Sequence, residues 1–224
     1  MNGLLLVNKP IGISSFDVIR LLRRQTGVRK IGHAGTLDPL ASGLMLMLFG
    51  TACKQAQSFS KLDKRYVAQI TLGATSTTGD NEGDKTSVSH TAPELEAVLE
   101  ALNRLQGQLT QIPSAYSAIK INGKEAYKRV RAGEKVEMPS RQVTVYENTL
   151  VRYSYPIIEI DAKVSSGTYI RTLAQDLGEE LGTGAYLSGL VRTEVGEFQL
   201  ADAIVLDEAD ALATAKHMRD VTPN

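Results

Sequence analysis

At residues 32–43 the chain carries the stretch Gly32-His33-Ala34-Gly35-Thr36-Leu37-Asp38-Pro39-Leu40-Ala41-Ser42-Gly43. Glycine and proline residues surround one carboxylate and one imidazole in this stretch. Glycine allows positive φ or the close approach of another backbone, and Pro39 favours extended geometry at Asp38. The pattern therefore predicts a loop that fixes the Asp38 carboxylate at the mouth of a cleft. A purely conformational turn around an aspartate has the same spacing, so this stretch alone leaves both interpretations open.

The segments on either side of this loop, which we place at 31–39, alternate between strand and helix signals. Apolar and β-branched runs predict strands at 3–7, 44–49, 65–73, 116–121, 142–146 and 157–164. Capping residues, prolines and closing glycines predict helices at 14–27, 93–105, 124–132, 169–181 and 207–218. Regular βαβ alternation and the glycine fingerprint of a nucleotide-binding sheet are both missing from the sequence. The fold class that follows is α+β.

Charge is distributed unevenly along a chain whose net charge is zero. Residues 1–65 carry ten Lys/Arg against three Asp/Glu, and residues 111–141 carry seven against three. The rest of the chain is acidic. Basic charge is thus concentrated in two stretches, where a polyanion such as RNA could bind, although a solvated basic helix face gives the same pattern.

Composition excludes several other classes of protein. With 224 residues, the chain is long enough for one large domain or two small ones. The single cysteine, Cys53, excludes an internal disulfide and a cysteine-cluster zinc site, and the three histidines lack metal-ligand spacing. No stretch approaches ~20 consecutive apolar residues. We therefore predict no metal, no membrane span and a cytoplasmic location.

The 32–43 stretch closely resembles the catalytic motif of TruB-type pseudouridine synthases, with Ala34 and Ser42 in place of two threonines. Further family motifs follow in order: Asn8-Lys9-Pro10 with Ser14-Ser15, Asp63-Lys64-Arg65-Tyr66, Leu72-Gly73 with Thr78-Gly79-Asp80, Gln111-Ile112-Pro113-Ser114 with Tyr116-Ser117-Ala118, Asn122-Gly123-Lys124, Arg141, and Ser166-Gly167-Thr168-Tyr169-Ile170-Arg171-Thr172-Leu173 with Asp176-Leu177-Gly178. The similarity covers about residues 3 to 198. On this resemblance the chain is identified as a member of the TruB family.

The resemblance implies a pseudouridine synthase fold: a mixed, mostly antiparallel central sheet flanked by helices, with an RNA-binding cleft. It also implies isomerisation of uridine to pseudouridine at position 55, in the T-loop of tRNA. The reaction gains or loses no atoms or electrons, so no cofactor is expected. The implied partner is the T-arm of tRNA, and we expect a monomer.

Catalytic roles carry over to three residues of this sequence. Asp38 matches the nucleophile, since a carboxylate can attack and also leave. Arg171 matches the arginine that pairs with this carboxylate and keeps it ionised. Tyr66 matches the tyrosine that stacks on the target uracil. Attack at C1′, attack at C6 and stabilisation of a glycal-like species all remain open.

Substrate-binding roles carry over to a second set. His33 matches the histidine that contacts RNA where the base leaves the stack, and Tyr169 and Leu190 match positions lining the uracil pocket. Lysines and one arginine would contact phosphates of the T-arm: Lys9, Lys64, Arg65, Lys120 and Lys124. Such contacts add salt-dependent affinity without sequence information.

The sequence departs from the family pattern at three places. We expect residues 1–200 to form the catalytic domain and 201–224 a short C-terminal extension, without the PUA-type domain of many relatives. Tyr186 replaces a usual histidine, and Val191-Arg192 replaces a frequent arginine pair. These last changes put peripheral RNA contacts in doubt.

Two other functions, a non-catalytic RNA-binding module and a hydrolase, are alternatives to this one. A non-catalytic tRNA-binding or tRNA-folding module is suggested by the basic stretches and by Gly32-His33-Ala34-Gly35, which superficially matches a KH-type loop. Such a module would not need Asp38, Arg171 and Tyr66 together. A hydrolase would need a second carboxylate such as Asp80 at ~5 to 9.5 Å from Asp38. Nucleotide-binding motifs are absent.

Overall fold

A computed structural model describes residues 1–114, 116, 120–121, 123–206 and 211–221. The chain forms two compact units. The first unit contains residues 1–67 and 190–224, and the second contains residues 68–189. The two boundaries between the units, at residues 67/68 and 189/190, each fall inside a strand.

The structure has the following elements. The strands are β1 (Gly3–Lys9), β2 (Ile31–Ala34), β3 (Ala41–Phe49), β4 (Lys64–Leu72), β5 (Ala74–Ser76), β6 (Lys85–Ser87), β7 (Gly107–Gln111), β8 (Lys120–Ile121), β9 (Lys124–Glu125), β10 (Arg141–Ser154), β11 (Ile157–Val164), β12 (Ala185–Val195), β13 (Phe198–Gln199) and β14 (Ile204–Val205). The helices are α1 (Ser15–Thr26), α2 (Ala56–Ser60), α3 (Leu95–Arg104), α4 (Ala126–Arg131), α5 (Ile170–Glu180) and α6 (Ala211–His217). Short 3₁₀ helices cover Gly50–Gln55 and Leu200–Asp202.

In the first unit, the strand order is β14-β1-β3-β12, and β2 pairs with β3. β1 and β3 are antiparallel, whereas β1 with β14 and β3 with β12 are parallel. The apolar run of β3 is buried from Gly43 to Phe49 and forms the centre of the core with β1. α1 begins at a complete capping box between Ser14 and Asp17 and ends at Gly27 in the left-handed conformation, as the sequence predicts.

In the second unit, the strand order is β4-β11-β10-β7, and β10 is antiparallel to both of its neighbours. Alternate residues of β11 are buried, from Ile158 to Val164, which is the pattern of a sheet with one face on the core. α3 and α5 contribute buried apolar side chains, among them Val98, Leu102, Leu173 and Leu177. The mixed, mostly antiparallel sheet with flanking helices confirms the predicted fold class.

Several predicted boundaries were wrong. Residues 31–34, predicted as part of a loop, form β2 because they pair antiparallel with residues 46–49. The prediction missed β7 and β12 and shortened β10. Gly189 and the buried Arg192 break the apolar alternation of β12, and long-range pairing overrides such weak local signals. Residues 117–119 of the predicted strand at 116–121 and residues 207–210 of the predicted helix at 207–218 lie outside the described residues.

The end of the chain belongs to the first unit. β14 lies parallel to β1, and the backbone of Arg219 exchanges hydrogen bonds of 2.8 and 2.9 Å with Leu4. The predicted division at residue 200 stays a prediction. Among the helices of the described residues, none has the length and apolar character needed to cross a membrane.

A pH-dependent stability follows from Asp176 on α5. Burial, followed by the charges of Glu179 and Glu180, raises the pKa of this carboxyl to about 6 from 3.8. Because the folded-state pKa exceeds the unfolded value, ionisation of Asp176 lowers stability as pH rises from about 4 to about 6. We expect Asp176→Asn to raise the urea midpoint relative to wild type at pH 7.5 and to lose that advantage near pH 4.

The measurement is urea denaturation of both proteins at several pH values between 4 and 8. Asp84→Asn serves as a matched control, because Asp84 is an exposed aspartate of the same unit and is not among the charges that raise the Asp176 pKa. A difference between Asp176→Asn and wild type that stays constant across this range would contradict the assignment.

Candidate active site

The Asp38 loop is held by the segment that precedes α1. Ser15 is buried, and its Oγ donates a 2.8 Å hydrogen bond to Leu37 O and accepts one of 2.8 Å from Leu37 N. Gly12 N donates to Pro39 O at 2.8 Å. These bonds fix the backbone on both sides of Asp38, whose side chain is half-buried. The Ser14-Ser15 motif near the chain start therefore positions the candidate nucleophile.

Arg192 of β12 holds the other end of this loop. Its side chain is buried, and its guanidinium donates to Leu44 O at 2.7 Å, Gly35 O at 3.2 Å and Thr36 O at 3.4 Å. Gly43 has a φ of +103°, and a Cβ there would lie 2.3 Å from Arg192 O. Glycine is thus needed at 43 for β3 to approach β12. The sequence marked Val191-Arg192 only as a departure from a frequent arginine pair, and the burial of Arg192 makes it a support for the loop.

Lys9 is also buried, and its ammonium group is bonded to the backbone of its own turn. Its Nζ donates to Pro10 O at 2.9 Å and to Ile13 O at 2.7 Å, so it closes the turn that carries Gly12. Burial lowers the pKa of the Lys9 ammonium to about 8, although the Asp38 carboxylate acts in the opposite direction. An amine bonded inside the turn does not present itself to RNA phosphates.

Lys64 departs from its predicted phosphate contact for the same reason. It is buried, and its Nζ donates to Ser60 O and Leu62 O at 2.5 and 2.6 Å. Burial lowers its pKa to about 8 as well. Both lysines therefore use their ammonium groups to satisfy backbone carbonyls.

The remaining candidates of the first unit lie on its strands. Tyr66 is on β4 with 8% of its surface exposed, and Leu190 is on β12, half-buried and paired with Ala41. His33 is on β2, opposite Met47. Burial, with a smaller contribution from the Arg192 charge, lowers the pKa of His33. The lowered pKa favours the neutral form of the ring. Its Nδ1 is buried and has no hydrogen-bond partner among the described residues.

In the second unit, Arg171 forms a buried ion pair with Asp80. Arg171 Nη1 lies 3.2 Å from Asp80 Oδ2, and the two side chains are 7% and 4% exposed. Arg171 also donates to the carbonyls of Thr78 and Tyr116, at 3.4 and 3.1 Å. The guanidinium at the start of α5 is therefore fixed in position by one carboxylate and two carbonyls.

Asp80 is itself fixed by the turn that contains it. Thr78 Oγ1 and Glu82 N donate to Asp80 Oδ1, the latter at 3.0 Å, and Ser76 Oγ donates to Asp80 O at 2.6 Å. Leu187 N on β12 donates to Gly79 O at 3.0 Å. The Thr78-Gly79-Asp80 motif thus forms a rigid anchor for Arg171. The hydrolase hypothesis needed Asp80 as a catalytic acid. The ion pair between Asp80 and Arg171 argues against that role.

Tyr169 precedes Arg171 as the N-cap residue of α5 and makes no capping bond through its side chain. The buried Gln111 holds the backbone of Tyr169 instead: its Oε1 accepts from Tyr169 N at 3.0 Å and its Nε2 donates to Tyr169 O at 3.3 Å. The Arg141 guanidinium lies 5.3 Å from the centre of the Tyr169 ring, within cation–π range. Backbone and ring of Tyr169 are therefore both held in place.

Five of the predicted site residues belong to the first unit: Asp38, Lys9, His33, Tyr66 and Leu190. Arg171 and Tyr169 belong to the second. The pairing of Arg171 with Asp38 stays a prediction. Sequence reasoning missed the supporting roles of Asp80, Arg192 and Gln111. A signal existed for all three: Asp80 and Gln111 lie in family motifs, and Arg192 interrupts an apolar segment. Across the part of the chain that the structure describes, no group of three or more His, Cys, Asp and Glu could hold a metal.

Two solved complexes contain a chain with a similar fold. A crystal structure of a Cbf5-Nop10-Gar1 complex matches 92% of this chain with a TM-score of 0.73 and 26% identity. An archaeal box H/ACA sRNP Nop10-Cbf5 complex matches 93% with a TM-score of 0.69 and 22% identity, which supports the fold alone. This chain spans about half the length of those chains, 53% and 52%.

Family models and curated sequences match most of this chain. Residues 23–170 match the N-terminal domain of the TruB family pseudouridylate synthases, and residues 171–222 match the C-terminal domain of tRNA pseudouridylate synthase B. The tRNA pseudouridine synthase B of Burkholderia pseudomallei (strain 668) is 45% identical over 94% of this chain and 70% of its own length. That of Corynebacterium diphtheriae is 44% identical over 93% of this chain and 72% of its own length. This chain therefore belongs to the TruB family of pseudouridylate synthases.

Proposed function

We propose that this chain isomerises uridine to pseudouridine at position 55, in the T-loop of tRNA. The observation that carries the proposal is the Asp38 loop, whose backbone is bonded on both sides by Ser15, Gly12 and Arg192. A loop fixed in this way holds a carboxylate in one orientation, as a nucleophile requires. Relatives over more than nine-tenths of the chain carry the name tRNA pseudouridine synthase B.

The reaction breaks the N1–C1′ glycosidic bond, turns the uracil and joins C5 to C1′. C5 then loses its proton and N1 gains one, so the atoms and electrons of the nucleotide are conserved. Asp38 supplies the carboxylate for this exchange. Attack at C1′, attack at C6 and stabilisation of a glycal-like species all use the same group, and all return it unchanged at the end of the cycle.

Arg171 acts in this proposal as the partner that keeps Asp38 ionised and oriented. A guanidinium already fixed by Asp80 and by the carbonyls of Thr78 and Tyr116 loses little conformational freedom when it binds a second carboxylate. Asp80 is then a positioning residue, because it acts through Arg171.

Recognition of the flipped base falls to the remaining candidates. Extrusion of a base costs a few kcal/mol, and stacking on an aromatic ring returns ~1 to 3 kcal/mol. Tyr66 supplies that ring, Tyr169 and Leu190 line the uracil pocket, and His33 contacts the RNA where the base leaves the stack. The proposal further places the protein in the cytoplasm as a monomer that binds the T-arm.

The test is pseudouridine mapping on an unmodified tRNA transcript incubated with the wild-type protein. We expect conversion of the uridine at position 55 and none in a transcript with cytidine at that position. Binding of the first transcript without conversion would favour the tRNA-binding or tRNA-folding module instead. Conversion at another position would keep the enzyme and overturn the T-loop assignment.

A further inference from the structure

One face of α1 is exposed and carries arginines. Phe16, Arg20, Arg23 and Arg24 are all exposed and follow the spacing i, i+4, i+7 and i+8, which places them on the same side of a helix. The opposite side packs into the core of the first unit through Ser15, Val18, Ile19 and Leu22. The arginines are therefore directed away from the core by the same periodicity that buries the apolar side chains.

Most of this charge is not neutralised by neighbouring carboxylates. Arg20 pairs with Asp17, which already belongs to the capping box. Within the described ranges, Arg23 and Arg24 form no ion pair. Arginines that stabilised the fold through salt bridges would face acidic side chains, so this face has the composition of a binding surface rather than of a charge-balanced one.

The basic surface continues past the end of α1. Arg29 and Lys30 are exposed, and Gly50 N donates to Lys30 O at 2.9 Å. Cys53 Sγ lies 3.9 Å from the same carbonyl, which brings the exposed Lys54 into this neighbourhood. We call the whole set the α1 basic surface: Phe16, Arg20, Arg23, Arg24, Arg29, Lys30 and Lys54.

The start of this surface adjoins the Asp38 loop. Ser15, the first residue of α1, is bonded to Leu37, and Gly12 is bonded to Pro39. Two large apolar side chains on this segment remain in solvent: Ile11 is 67% exposed and Phe16 is 57% exposed. An aromatic ring followed by arginines therefore extends from the catalytic loop along the helix, over about 12 Å from Phe16 to Arg24 at ~1.5 Å per residue.

We propose that the α1 basic surface binds the sugar-phosphate backbone of the RNA substrate next to the reacting nucleotide, with Phe16 in contact with a base or sugar. This inference rests on the proposed function. Guanidinium groups bind phosphate in a bidentate manner, and an aromatic ring stacks on any base, so the chemistry fits RNA without selecting a sequence. The surface thereby supplies part of the affinity that the buried Lys9 and Lys64 do not.

The test compares binding of an unmodified tRNA transcript by wild type, by Arg23→Gln/Arg24→Gln and by Phe16→Ala over a range of salt concentrations. Each phosphate contact contributes about one to the slope of log Kd against log salt, so the double variant should lose about one to two from that slope. Its affinity should fall about tenfold, with the loss appearing in KM rather than kcat. Phe16→Ala should weaken binding without changing the slope, because it removes no charge.

Arg152→Gln/Lys216→Gln removes the same charge from exposed positions on β10 and α6 and serves as the matched control. An Arg23/Arg24 variant that binds like this control, while wild type still forms pseudouridine, would overturn the docking surface and leave the proposed function intact. If wild type forms no pseudouridine, yet the double variant loses affinity and slope relative to the control, the surface stands and the proposed function fails.

Discussion

Asp38→Asn should abolish pseudouridine formation while leaving RNA binding near the wild-type level. The amide keeps the shape of the side chain but is neither an anion nor an effective nucleophile. Loss of a nucleophile typically costs several orders of magnitude in kcat, and we expect about 10³-fold or more here. The measurement is single-turnover conversion of an unmodified tRNA transcript, alongside binding of the same transcript.

Asp202→Asn is a suitable control for this substitution. Asp202 pairs with Arg219 in an ion pair whose side chains are 52% and 43% exposed, so the same chemical change there costs little. Retention of more than about a tenth of the wild-type rate by Asp38→Asn would rule out the nucleophile assignment, because no mechanism through this carboxylate tolerates its removal so well.

Asp80→Ala should be the most destabilising change in the second unit. It removes the carboxylate that faces Arg171 in a buried pair and leaves Thr78 Oγ1 and Glu82 N without their acceptor. Breaking one side of a buried ion pair typically costs about 3 to 5 kcal/mol. We expect a loss of this size in the free energy of unfolding, measured by urea denaturation, together with loss of activity because Arg171 is no longer held.

The double variant Asp80→Ala/Arg171→Met separates the two effects. Removing both charges should recover part of the lost stability, because the buried guanidinium that faced Asp80 is also gone. Activity should stay lost in the double variant. Asp202→Ala, which breaks an exposed pair, should cost less than about 1 kcal/mol. Equal costs for Asp80→Ala and Asp202→Ala would show that the buried pair does not anchor Arg171.

The charge pattern shows how far sequence alone reaches. Counting residues places excess positive charge in residues 1–65, but it treats every lysine and arginine alike. The structure buries Lys9 and Lys64 on backbone carbonyls and exposes Arg23 and Arg24 on α1. Which cations face RNA is decided by the path of the chain around them, because the same amine serves equally well to bind a carbonyl or a phosphate.

Sequence by itself determined the features that depend on near neighbours. The capping box of α1 joins Ser14 and Asp17, three residues apart, and Gly27 ends the helix through its own conformation. The ordered motifs likewise predicted Asp38, Arg171 and Tyr66 as candidate catalytic residues without any knowledge of their distances. Such signals can be recognised in a sequence because the interacting groups, or the residues of one motif, lie within a few positions of each other.

Only the tertiary structure decided which distant groups support the candidate site. Ser15 binds Leu37 across 22 residues, Asp80 meets Arg171 across 91, and Arg192 reaches Gly35 across 157. Each is a buried polar group that must find a hydrogen-bond partner, and many partners in the chain have suitable chemistry. The choice among them is made by strand pairing and helix packing, which bring particular carbonyls and carboxylates within 2.8 to 3.2 Å of these donors.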